Sequence, residues 1–189
     1  HSADPHEALG ELYLEMGRYE DCARECKAVL KILPESMSAR QILSAAYYQL
    51  GQVENALSVT QEMVRLAPLD PVSHYKSGML LQQQGNWKAA LDEFRTVTRI
   101  SPTDSIEYSE AESAIEMLDR QQITIIMNLL ADDRLFQMRV ARNAAEATQE
   151  RGFFLTFDAS LYLQHVAQEH EHDAQMFGLS LTTRPMMYN

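Results

Sequence analysis

Residues 34–102 read PESMSARQILSAAYYQLGQVENALSVTQEMVRLAPLDPVSHYKSGMLLQQQGNWKAALDEFRTVTRISP, and this stretch decides the fold. Pro34, Pro68 and Pro102 stand 34 residues apart, and Gly17, Gly51 and Gly85 keep the same interval. The chain holds only 7 Gly and 6 Pro, so two ladders of one period are no accident of composition. Self-similarity at such a period is the mark of a stacked repeat.

Other positions fall into the same frame. A first segment gives Leu9-Gly10 and Tyr13, then Leu43-Ser44 and Tyr47, then Ser77-Gly78 and Leu81. After each glycine comes Tyr19, Val53 or Trp87, followed by a small residue (Cys22, Ala56, Ala90) and then Cys26, Thr60 or Phe94. Gly10, Ser44 and Gly78 on one helix, with Cys22, Ala56 and Ala90 on the next, allow close approach. The larger residues fill the space around them. Glycine ends the first helix of each pair in a left-handed conformation, and proline ends the second because it cannot continue the hydrogen-bond ladder.

In this register the sequence resembles the tetratricopeptide-repeat (TPR) family over residues 3–104, with repeats at 3–36, 37–70 and 71–104. The resemblance implies an all-α fold, a helix–turn–helix solenoid wound as a right-handed superhelix. One repeat cannot bury its apolar face alone, so stacking is obligatory. Ser77 and Leu81 in repeat 3, and Val53 and Thr60 in repeat 2, depart from the family pattern and predict looser packing there.

Beyond the repeats the ladders stop. Ser105 reads as a helix start, and residues 105–120 are expected to form a capping helix over repeat 3. A small helical unit is expected at 121–168, with a break and N-cap at Asp132-Asp133, a helix ended by Gly152, and a last helix capped by Thr156 or Asp158. Within 121–168 the run from Leu130 through Asp133 and Phe136 to Gly152-Phe153 resembles Nif11-like helical domains, a likeness of few positions from which no activity is drawn. A polar, flexible tail is expected at 169–189.

Composition narrows the function. The formal charge is −11, with no run of Lys and Arg to track a phosphate backbone, so nucleic acid and anionic membrane are poor partners. No apolar run reaches the ~18 residues a membrane span needs. Cys22 and Cys26 lie four apart and read as small buried apolar residues; the other reading, two thiolates of a metal site, finds no third ligand nearby. Reduced thiols fit a cytoplasmic protein, or an exported one if a signal peptide has been removed. The sequence begins without Met, as a processed or trimmed form would. No nucleophile elbow, phosphate-cradling loop or paired-His metalloenzyme motif occurs, so neither an enzyme nor a cofactor is expected.

The family binds ligands on a concave surface lined by the first helix of each repeat. The matching positions here are Glu7, Glu11, Leu14 and Glu15; Gln41, Ala45, Tyr48 and Gln49; and Tyr75, Met79, Gln82 and Gln83. The Lys/Asn/Arg clamp with which a chaperone-binding subclass holds terminal carboxylates is missing, and carboxylates occupy one end instead. The expected function is therefore a scaffold or adaptor holding a protein or peptide partner that is basic or mixed in charge, alone, as a homo-oligomer or within a larger assembly. A solvated acidic helix face is the plainer reading of Glu7, Glu11 and Glu15. A second hypothesis is a metal-handling accessory protein: His165, Glu169 and His172 fall on one helical stripe and offer two imidazoles and a carboxylate.

Overall fold

The computed structural model describes residues 5–176, and among them all regular structure is helical. Six helices pair in sequence: α1 (Pro5–Glu15) with α2 (Tyr19–Ile32), α3 (Met37–Gln49) with α4 (Val53–Leu66), and α5 (Pro71–Gln83) with α6 (Trp87–Ile100). Four more follow: α7 (Ile106–Asp132), α8 (Arg134–Arg142), α9 (Ala144–Gln149) and α10 (Phe157–Met176). The chain divides into two compact units between Ile115 and Glu116.

In the first unit the two ladders do what their chemistry predicts. Gly17, Gly51 and Gly85 have φ of 71°, 70° and 73°, where a side chain is strained. The following N–H reaches back five residues, Arg18 to Tyr13, Gln52 to Tyr47 and Asn86 to Leu81, at 2.8–2.9 Å. This closes each first helix in the same C-cap. Ser36 and Asp70 cap α3 and α5 by accepting from the N–H groups of Ala39 and Ser73 at 3.1 and 3.0 Å.

The small positions of the first helices meet the second helices in three different ways, always sixteen residues apart. A Cβ on Gly10 would stand 3.1 Å from the Cys26 sulfur. Ser44 Oγ lies 2.8 Å from Thr60 Oγ1, and both hydroxyls donate to the Ala56 carbonyl or to each other. A Cβ on Gly78 would stand 2.6–2.9 Å from three atoms of the Phe94 ring. The looser packing expected at Thr60 is not what the structure shows: Thr60 is fully buried and hydrogen-bonded, a polar pair replacing a glycine–aromatic one. In repeat 3, Ser77 donates to Glu93 at 3.0 Å, and Glu93 also holds His74 Nδ1 at 2.6 Å, so the departure at Ser77 ties the helices together.

Cys22 and Cys26 are free thiols with no exposed surface. Burial pushes both up, Cys26 to about 12, with the neighbouring Cys22 adding to it. A thiol whose folded value is raised stabilises the fold below its unfolded value and loses that contribution as pH climbs toward the folded one. Stability of the first unit is therefore expected to fall between about pH 9 and 12. Thermal melts of Cys26→Ala against the wild type should show a shallower alkaline decline in the variant.

The second unit is built differently. The helical run that begins after Ser105 continues unbroken through Asp132, because between Pro102 and Gly152 there is neither Gly nor Pro to stop it. Asp133 then caps α8, accepting from Phe136 N–H at 2.9 Å, and Arg151 lies over the Phe136 ring while pairing with Asp133. The segment read as one helix to Gly152 is two, broken at Asn143, which caps α9. Gly152, with φ 83°, closes α9 as the other glycines close theirs, and Phe153 N–H reaches back to Thr148.

Residues 153–156 belong to no helix, so Phe154 N–H and C=O and Thr156 N–H lack helical partners. Side chains of α7 take their place. Gln122, fully buried, donates to Phe154 C=O at 3.0 Å and accepts from Phe154 N–H at 2.7 Å. Asp119 accepts from Thr156 N–H at 3.0 Å and from its hydroxyl at 2.5 Å. Thr156 in turn caps α10. At the α8–α9 break, Gln168 of α10 donates to Ala141 C=O at 2.8 Å, and Gln164 bridges Arg142 C=O and Ala144 N–H. Ile126, Phe136, Val140 and Leu163 form the apolar core. The helix α10 continues to Met176, so the expected tail at 169–189 begins as helix; from residue 177 it lies outside the described residues.

Candidate functional site

The first helices of the three repeats, α1, α3 and α5, carry the residues expected to face a ligand, and the structure separates them into three kinds. Glu11 and Glu15 are exposed and point to solvent, as are Gln49 and Gln83. Glu7 is half-buried and accepts from the Ser36 hydroxyl at 2.5 Å, so it supports the cap of α3 and is not a free carboxylate. Gln41, Leu14 and Gln82 are half-buried. Tyr75 belongs largely to the packing: its ring sits 5.6 Å from that of Phe94, and burial, with the charge of Glu110, raises its hydroxyl above the usual range.

Tyr48 and Met79 are brought together. With Ser44, Ala45, Lys76 and Leu80 they line a recess of about 190 Å³ between α3 and α5. Each of the two is 46% exposed, so the recess presents apolar surface to water. For scale, an apolar cavity of about 150 Å³ accommodates benzene. Lys76 was not among the expected residues, although it stands three before Met79 and so shares its helix face.

A second groove, of about 490 Å³, was missed. It lies along α2 and the end of α3, lined by Glu20, Ala23, Arg24, Lys27, Ala28, Lys31, Tyr47, Leu50 and Gln52. The spacing of Arg24, Lys27 and Lys31 could have shown it, but a search for long basic runs passes over three residues in an acidic chain.

The stripe of His165, Glu169 and His172 does not form a three-donor site. His165 and Glu169 face each other at 3.3 Å on the surface of α10, and among the described residues no group of three His, Cys, Asp or Glu side chains is placed to hold a metal ion. No helix among them is long and apolar enough to cross a membrane.

The family model of the bacterial transcriptional activator domain, itself a TPR-like helical domain, matches residues 2–70. No curated protein matches in sequence. Among solved structures, PcrH, a Pseudomonas aeruginosa protein, in complex with the chaperone binding region of PopD is similar with a TM-score of 0.56 and 18% identity, over 61% of this chain and 90% of that one. The first TPR of Spaghetti (RPAP3) bound to the HSP90 peptide SRMEEVD gives 0.53 and 17% identity, over 60% and 90%. MamA gives 0.52 and 19% identity, over 94% and 96%. With its 34-residue ladders, its paired helices and these neighbours in fold, the first unit of the chain has the fold of a tetratricopeptide-repeat helical solenoid.

Proposed function

We propose that this chain is a non-enzymatic adaptor whose α1–α3–α5 face holds an extended or helical segment of a partner protein. The recess formed by Tyr48, Met79, Ala45 and Leu80 carries the reading: it is apolar and open, and it sits where one large aliphatic or aromatic side chain of a partner would be taken out of water. Burying such a side chain contributes about 2–3 kcal/mol. Exposed Glu11 and Glu15 on α1 favour basic residues in the flanking part of the same segment. The similar folds solved with a PopD region and with an HSP90 peptide support the use of this architecture for chain capture. The acidic character of α1 and the missing carboxylate clamp set the ligand apart from an acidic C-terminal peptide.

The test is selection of peptides from a displayed random library on the immobilised chain, followed by affinity measurement. Selected peptides should share a large apolar residue with basic neighbours. Tyr48→Ala combined with Met79→Ala should weaken them about tenfold or more, since hot-spot truncations cost 1–2 kcal/mol or above. Both residues are half-exposed, so the variant should keep its melting temperature. Unchanged binding would move the interface off this face.

A further inference from the structure

We infer that the α2 groove is a second docking surface, on which an acidic amphipathic segment of another protein sets its carboxylates against the exposed Arg24, Lys27 and Lys31 while its apolar face covers the half-buried Ala28 and Leu50. None of the residues lining this groove belongs to the recess of Tyr48 and Met79, so the inference goes beyond the adaptor reading and does not depend on it.

Charge complementarity decides the occupant. The chain has 27 acidic and 16 basic residues, yet three exposed bases and a single carboxylate, Glu20, line this one groove. Two of the three bases have no carboxylate partner among the described residues, and the third, Arg24, shares one. Asp21 is shared between Arg18 and Arg24, two guanidinium groups for one carboxylate. Lys27 lies 5.2 Å over the Tyr47 ring, and among the described residues no carboxylate pairs with it or with Lys31. The cation–π contact sets the Lys27 ammonium over the buried Tyr47 ring, at the rim of the groove, where a ligand carboxylate can reach it.

Spacing gives the form of the ligand. Arg24, Lys27 and Lys31 stand at i, i+3 and i+7 on one helix, a span of roughly 10 Å at 1.5 Å per residue. A partner helix with Glu or Asp at i, i+4 and i+7 presents carboxylates over the same length, with apolar residues between them on the flank that faces the floor. Nucleic acid uses such bases less well, because the floor is apolar and the surrounding body, at −11, repels phosphates.

The experiment uses the full chain and a fluorescein-labelled amphipathic helical peptide of about 15 residues. The peptide carries Leu along one face and Glu at i, i+4 and i+7 beside it, and a control has Lys for every Glu. Fluorescence anisotropy at low salt should show binding of the Glu peptide, weakening with added salt, and no comparable binding of the Lys peptide. Arg24→Glu, Lys27→Glu and Lys31→Glu together should reduce affinity about tenfold or more. A milder triple change to Gln, at positions all exposed, guards against loss of fold and should give an intermediate loss. The Tyr48→Ala and Met79→Ala pair should bind the Glu peptide as the wild type does. Equal binding of the two peptides, or an unchanged affinity in both triple variants, would overturn the proposal. A single-stranded oligonucleotide that outcompetes the Glu peptide would assign the groove to nucleic acid instead. A higher-order species of the chain alone that the triple variants dissolve would assign it to a second copy.

Discussion

Gly78→Ala is expected to destabilise the repeat unit by about 2 kcal/mol, even though alanine is the better helix former by about 1 kcal/mol. The two effects oppose each other, and geometry decides between them. The new methyl would meet Cε1, Cδ1 and Cζ of Phe94 at 2.6, 2.8 and 2.9 Å. Phe94 is fully buried, and Tyr75 packs on its ring, so the ring has nowhere to go. At Gly10 the same change meets one sulfur at 3.1 Å and should cost well under ~1 kcal/mol, the helix gain nearly cancelling the contact. Urea unfolding followed by fluorescence of Trp87, the single tryptophan, measures both. Repeat 2 supplies a sharper version. Transplanting its pair as Gly78→Ser with Phe94→Thr should be less harmful than the sum of the single changes by about 1 kcal/mol or more, because the two hydroxyls can bond as Ser44 and Thr60 do. A Gly78→Ala variant as stable as the wild type would mean that the helices are not this close.

The largest single loss in the second unit is expected from Gln122→Leu. The volume is nearly kept, but Phe154 N–H and C=O lose the two bonds Gln122 gives them. A buried backbone group left without a partner costs about 1–3 kcal/mol, so the variant should lose about 3 kcal/mol. Hydrogen exchange reads the effect where it occurs: protection of the Phe154 amide should drop roughly a hundredfold, at 1.4 kcal/mol per tenfold, and the amides of α1–α6 should be unmoved. Asp119→Asn should be milder, since an amide oxygen can still accept from Thr156 N–H. An unaltered Phe154 amide in Gln122→Leu would show that the segment is held by other means.

The difference between these two sites explains what the sequence could disclose. The first unit is periodic, so each repeat repeats the evidence for the others; Gly17, Gly51 and Gly85 mark the turns, and Pro34, Pro68 and Pro102 follow the second helices. Even there, only register was legible. That Glu7 is taken up by Ser36, and Tyr75 by Phe94, depends on contacts across helices that periodicity does not specify. In the second unit nothing repeats. The break at Asn143 is supported by Gln164 and Gln168, more than twenty residues away for Gln168. The irregular segment at 153–156 is held by Asp119 and Gln122, thirty-two or more residues before the residues they bond. An isolated Gln or Asp on a long helix reads as a surface residue until the segment it grips is known.

That dependence of early segments on late ones has a consequence for synthesis. A chain emerging from the ribosome can close each repeat as it appears, since α1 to α6 find their partners in neighbouring helices. The second unit has no such option: Asp119 and Gln122 must wait for residues 154–156, and the carbonyls of Ala141 and Arg142 must wait for α10. Its folding is therefore postponed until translation has passed Gln168, while the repeats behind it are already formed. A nonsense codon before that point would not trim this unit but leave all of it unfinished, attached to a solenoid that folds normally.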